Sequence, residues 1–245
     1  IHTTIKKDIE LERYLRPVTC THTYTASSVE VGDVLQAYQC EFTPNNQTDF
    51  TAINNSLERM KVDIVFECDD LDQFWDSWMA EWVEDGKPRN QWTFPRYIYD
   101  THIIPKLIEN LDFVSFNGIR QEPTQGTAGL TVNACTGLKK KIQDAVIAGL
   151  TTPIPTGAIS VDPVNAVESF ADNLPLVYRN LPGIFLMSST NARKYWRDYR
   201  GQFGTGNSNT GNENNELRVD GTRQRVVGVG TMEGSEGLLF LPNTL

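Results

Sequence analysis

Apolar and polar positions along the chain change period near residue 68, and that change divides the prediction. Residues 18–29, VTCTHTYTASSV, are dense in Thr, Val and Tyr, types that suit a pleated surface. A second extended run, 34–42 (VLQAYQCEF), ends at the turn signature Thr43-Pro44-Asn45-Asn46. In 57–66, LERMKVDIVF, the apolar Met60, Val62, Ile64 and Phe66 alternate with Arg59, Lys61 and Asp63. A period of two marks a half-buried strand. Between these last two runs, 43–56 (TPNNQTDFTAINNS) is polar and holds no Lys or Arg. The pattern predicts a long two-stranded arm with a polar tip. Such an arm is only marginally stable in water by itself and needs a surface to lie on.

Beyond it the period becomes helical. Leu71, Phe74, Trp75, Trp78, Met79 and Trp82 step by three and by one, one stripe of a helix. A second helical pattern covers 95–112, with Ile98, Thr101, Ile104, Ile108 and Leu111 on one face, and Pro105 is expected to kink or break it. From Gly126 the chain reads as mixed α/β. Helices are predicted over 137–148 and over 162–178, the latter with Asp162 as N-cap and Pro163 at the first helical position. An apolar strand, 183–187, leads through Ser188 and Ser189 into a helix ending near Arg200. The Gly- and Asn-rich run 201–215 reads as a surface loop. Two strands close the chain, RQRVVGVGTM and GLLFLP. The fold class expected is α+β.

Composition narrows the function. Lys and Arg number 22 against 31 Asp and Glu, a net charge of −9. That balance argues against a protein built to grip phosphate backbones, so no specific nucleic acid is expected as a partner. Three histidines (His2, His22, His102) leave little material for His-based catalysis or metal binding. No apolar run reaches the roughly 18 residues of a membrane span, and the first fifteen residues hold no signal-peptide core. Cys20, Cys40, Cys68 and Cys135 are far apart and read as reduced thiols. The sequons at Asn46 and Asn54 read as chance matches.

Each chemical signature has a plainer reading. Asp69, Asp70 and Asp72 resemble a carboxylate pair or a cation site, but they open a helix, where carboxylates cap free N–H groups. His102 has no sequence-near partner and reads as a surface or hydrogen-bonded residue. Gly204 with Gly206, and Gly228 with Gly230, each lack the third glycine of a dinucleotide fingerprint. A phosphate-cradling loop and a nucleophile elbow are both absent. Glu213 and Glu216 do not fall at calcium-loop spacing. Arg193, Lys194, Arg197 and Arg200 oppose an apolar stripe of Ala192, Tyr195, Trp196 and Tyr199. They read as a solvated or intersubunit face, with nucleic-acid contact as the alternative. The expectation is no enzyme, no catalytic, cofactor-binding or metal-binding residues, and no cofactor.

The order of elements resembles the tailed-bacteriophage major capsid protein family, whose shell fold encapsulins share. The resemblance rests on an arm ending in KVDIVFECDDL, a helical region after it, the segment LPGIFLMSSTNARKYWRDYR, and the closing VDGTRQRVVGVGTMEGSEGLLFLPNTL. It covers nearly the whole chain and lies in order and texture, with no fixed motif. It implies a phage-capsid-like fold: an N-terminal arm at 1–28, an extended β-hairpin arm at 29–70, a spine helix and peripheral-domain part at 71–125, and an axial domain with returning strands at 126–245. It also implies a subunit that assembles with itself into pentamers and hexamers of an icosahedral virion shell, synthesised in the bacterial cytoplasm. Scaffold, maturation protease and portal would be its further partners, and no membrane. Some family members crosslink a Lys of the arm to an Asn of a neighbour; the tip 43–56 has no Lys, so no such bond is expected there. At the termini the family comparison makes the chain look short. Two other readings are a carbohydrate-binding or carbohydrate-degrading protein using the Trp-rich segment 74–92, and an encapsulin-like compartment shell.

Overall fold

The computed structural model describes residues 9–16, 18–31, 35–43, 48–85, 93–204 and 217–242. The chain divides into two compact units: Pro17–Val62, and a body made of Ile1–Arg16 with Asp63–Leu245. The fold is α+β.

The smaller unit is a two-stranded antiparallel ribbon of β1 (Thr23–Val31) and β2 (Thr48–Ser56), with Thr23 opposite Ser56 and Val31 opposite Thr48. This moves the expected arm. Its second strand is the segment read as a polar tip, and the paired residues span 23–56 where the sequence suggested 29–70. The described parts of 34–42 and 57–66 carry no sheet pairing. Met60, Val62 and Ile64 are exposed, so their alternation has no buried side to serve. The ribbon closes where the Leu57 N–H donates to the His22 carbonyl at 2.8 Å.

The body opens its helical part with α1 (Cys68–Asp85). From Phe94 to Asn117 the helix is continuous, as α2 (Phe94–Ile98), a π turn (Tyr99–Ile103) and α3 (Ile104–Asn117). Pro105 does not break it. Proline has no N–H to give the preceding turn, and the backbone answers with the π turn, where Ile104 N–H reaches back to the Tyr99 carbonyl. Next come α4 (Leu138–Ile147) and α5 (Pro163–Asp172), whose N-cap Asp162 accepts from the Asn165 N–H. The predicted helix 162–178 is two helices, α5 and the short α6 (Leu176–Arg179), because Pro175 between them cannot continue the ladder.

A four-stranded sheet forms the centre, ordered β4 (Leu217–Arg218), β5 (Gln224–Val229), β3 (Gly183–Ser188) and β6 (Leu239–Pro242). β3 and β5 are parallel and joined through α7 (Ser189–Phe203), while both outer strands run antiparallel to their neighbours. The sheet is covered on both faces, which explains the unbroken apolar run GIFLM. Phe185, Met187 and Val226 pack with Val164, Val167 and Phe170 of α5 and with Tyr195 and Tyr199 of α7. Leu186, Val227 and Val229 turn the other way, onto Phe116 of α3, Met232 and Leu11. Leu11 belongs to an N-terminal 3-10 turn (Glu10–Arg13) anchored on the body. The Glu10 carboxylate accepts from the N–H groups of Gly230 (2.6 Å) and Thr231 (3.3 Å), and its own N–H donates to Asp112 Oδ1 at 3.0 Å.

Candidate assembly surface

The ribbon has two faces and, among its described side chains, none that is fully buried. One face carries Tyr24 and Ala26 opposite Asn55 and Ile53. The other carries Thr25, Ser27 and Val29 opposite Asn54, Ala52 and Phe50. Cross-strand contacts on the second face are the Val29–Phe50 pair and a hydrogen bond of 2.7 Å from Thr25 Oγ1 to Asn54 Oδ1. Phe50 is nevertheless 73% exposed, and Tyr24, Val29 and Ile53 are exposed too. None of the unit's described apolar side chains is fully buried. In the segment between the strands Leu35, Tyr38 and Phe42 are 93%, 92% and 93% exposed. That segment is held by Gln36, whose Nε2 donates to the Thr43 carbonyl at 2.6 Å, and by Gln39, which donates to the Thr43 hydroxyl. Reading 34–42 as a strand missed these three side chains; their spacing of three and four, where a strand would show two, was the available signal.

The aromatic helices place the other candidates. Trp78 is buried with Tyr97 and Ile98 and lies 5.8 Å, ring to ring, from Phe94. Trp75 packs on Trp78 and Phe94 with 42% of its surface exposed. The Trp82 side chain and Trp92 lie outside the described residues. A flat sugar platform therefore loses Trp78 to the core. Asp70 Oδ2 accepts from the Glu67 N–H at 3.4 Å, the return arm of a helix cap. His102 sits against the rings of Phe74 (4.9 Å) and Tyr97 (5.4 Å).

Three of the four basic residues of α7 engage groups of the body itself. Lys194 donates to the Ser160 carbonyl at 3.5 Å, Arg197 to the Arg193 carbonyl, and Arg200 stacks 3.6 Å from the Trp196 ring centre. Beneath them titratable groups converge. Tyr199 donates to Asp220 Oδ2 at 2.6 Å. Burial, then the carboxylates of Asp220, Asp172 and Asp162, push the Glu168 carboxyl above its usual range. Burial first, and Glu168 next, push the Tyr195 hydroxyl well above its ordinary value. Cys20, Cys40 and Cys135 are not joined in disulfides, Cys135 Sγ donating to the Val114 carbonyl at 4.0 Å, and the Cys68 side chain lies outside the described residues. So do Asn46 of the first sequon and the loop residues 205–216 with Glu213 and Glu216; α7 itself continues to Phe203, into the predicted loop.

Among the described residues no three His, Cys, Asp or Glu side chains are placed to hold a metal ion, and no helix is long and apolar enough to cross a membrane. The chain matches no family model, no curated protein and no solved structure. What the molecule does show is a contrast between a packed body and a ribbon whose described side chains are all at least partly exposed.

Proposed function

We propose that the chain is a structural subunit that self-assembles into the icosahedral head shell of a tailed phage or prophage. In this reading the unit Pro17–Val62 is the extended arm, the helices from Cys68 to Asn117 supply the spine, and the sheet with its helices is the axial domain. The chain has no catalytic role; it works in the virion, with itself, scaffold, maturation protease and portal as partners.

One observation carries the reading: a ribbon with no fully buried side chain among its described residues, together with the exposed Leu35, Tyr38 and Phe42 between its strands. Isolated two-stranded ribbons are marginal, and unpaired strand edges invite a further chain. A second copy is an occupant always present at matching concentration, and repeated heterologous contacts close into rings. The carbohydrate reading draws less support, because Trp78 is core.

Electron microscopy of the chain co-expressed with a scaffold and protease tests the proposal. A companion variant joins His22 to Leu57 through a short Gly-Ser linker, which the 2.8 Å contact between those residues allows. Rings, sheets or shells from the intact chain and monomers from the variant are expected. Monomers from the intact chain under every condition, or shells from the variant, overturn it. A co-purifying cargo protein in place of DNA moves the assignment to an encapsulin-like compartment.

A further inference from the structure

Arg193, Lys194, Arg197 and Arg200 all stand on α7, and among the described residues none of them meets a carboxylate. Arg193, Arg197 and Arg200 recur at intervals of four and three residues, one stripe of the helix. The stripe lies opposite the buried Asn191, Tyr195 and Tyr199, and Arg193 and Arg197 are exposed. The partners these cations do have are neutral. Lys194 reaches the Ser160 carbonyl, Arg197 the Arg193 carbonyl, and Arg200 the Trp196 ring, its Nε having no hydrogen-bond partner. Like charges one turn apart weaken a helix taken alone. The chain has 31 acidic residues against 22 basic ones, so carboxylates to neutralise the stripe are not scarce. A basic stripe left open in an acidic chain points to an anionic partner from outside the subunit.

The same chain carries the complement. Asp69, Asp72 and Asp76 recur at intervals of three and four along α1, on the side away from Leu71, Phe74 and Trp78. All three are exposed, and among the described residues none has an ion-pair partner. Within one chain α1 packs on α2, whereas α7 packs on α5, β3 and β5. Seven residues of helix rise about 10 Å, so the two stripes have equal length. Laid antiparallel they match step for step. Four residues separate Asp76 from Asp72 and Arg193 from Arg197; three separate Asp72 from Asp69 and Arg197 from Arg200. That direction also sets the positive N-terminal end of α1 beside the negative C-terminal end of α7.

We infer that α1 of one copy docks antiparallel on α7 of a second, pairing Asp76 with Arg193, Asp72 with Arg197 and Asp69 with Arg200. The inference rests on the reading that the chain assembles with itself, and it gives the body a contact of its own beside the ribbon. Each copy offers one stripe and receives the other, a heterologous contact of the kind that closes into rings. Exposed ion pairs are weak singly, so the matched register and repetition around a ring supply the specificity. Nucleic acid is the poorer occupant, because a net charge of −9 repels a polyanion from the chain as a whole.

Charge reversal in the full chain tests the contact. One variant carries Asp72→Lys with Asp76→Lys, the other Arg193→Glu with Arg197→Glu. All four side chains are exposed, so both variants should unfold in urea close to the parent's midpoint. In sedimentation at low salt, each alone is expected to need at least about tenfold more protein to self-associate. The milder pair Arg193→Gln with Arg197→Gln should lose severalfold. An equimolar mixture of the two reversed chains is expected to regain most of the association, since each supplies the stripe the other has reversed. The contact and the shell fail separately. Shells from both reversed chains at the parent's concentration overturn the helix contact and leave the shell standing. Rings or short chains that the reversals abolish, with no shell under any condition, keep the contact and remove the shell. A parent that stays monomeric up to about 1 mM, or reversed chains without mutual rescue, overturns the contact. So does DNA binding that Arg193→Glu with Arg197→Glu abolishes while self-association is unchanged, which assigns α7 to nucleic acid.

Discussion

β3 and β2 have the same backbone state and opposite surroundings. Phe185 in β3 is 0% exposed and touches the rings of Phe170 and Phe240 at 5.3 and 5.5 Å. Phe50 in β2 meets Val29 across the ribbon and otherwise solvent. Burying a Phe fully is worth roughly 1.5–3 kcal/mol, so the body collects from each core strand a stabilisation that the ribbon largely forgoes. The lesson is that strand geometry says nothing about what holds a strand in place. The body is held by its own core, whereas the described residues of the ribbon have backbone pairing and exposed apolar surface.

The comparison is sharpened most by emptying the body. Phe185→Ala removes a ring enclosed by α5, α7 and β6 and should cost about 3–5 kcal/mol in urea unfolding. A cost under 1 kcal/mol would show that the sheet is not the centre of stability. Gly228→Ala acts by overfilling. Its Cβ would stand 2.8 Å from Ala192 Cβ and 3.1 Å from Ser189 Cα, so α7 could no longer sit against β5. A loss of about 1–3 kcal/mol is expected by the same measurement.

Where burial and periodicity coincide, the sequence was readable. GIFLM, the α5 stripe from Val164 to Ala171 and the Tyr195–Tyr199 face all report a side that is buried, and all three elements begin where the pattern puts them, although α5 stops at Asp172 and α7 runs on to Phe203. β2 was illegible for the converse reason. TDFTAINNS buries neither face, so no alternation marks it, and its strand character comes only from pairing with residues 23–31. In 57–66 the alternation exists without a partner strand to use it. The anchoring of Glu10 left no linear trace because Glu10, Asp112 and Thr231 meet only through tertiary folding.

Charge gives a smaller test of the body. The raised Glu168 carboxyl binds its proton more tightly in the folded chain than in the unfolded one. Its contribution is therefore fully present below the ordinary value of 4.5 and is lost as pH climbs through the raised folded value. Glu168→Gln removes that loss. Thermal melts should show a higher midpoint for the variant at pH 7 and no difference near pH 3, where both side chains are neutral. Equal midpoints at both values would mean that neither burial nor the carboxylates of Asp220, Asp172 and Asp162 raise this group.

The smallest effect is expected on the other side of the comparison, and its smallness is the point. Phe50→Ser deletes a large ring, which in a core would cost about 3–5 kcal/mol. Here it forfeits part of one cross-strand pair with Val29, worth about 0.2–1 kcal/mol to the ribbon alone. No described apolar side chain of Pro17–Val62 is fully buried, so the change opens no cavity. Unfolding of the body, followed by its buried tyrosines, should stay within about 0.5 kcal/mol of the parent chain. Assembly should respond differently: if a neighbour covers this face, the same substitution raises the protein concentration at which sedimentation first detects oligomers. A cost above 1 kcal/mol to the isolated chain would instead mean that ribbon and body unfold as one cooperative unit, and the contrast between them would be lost.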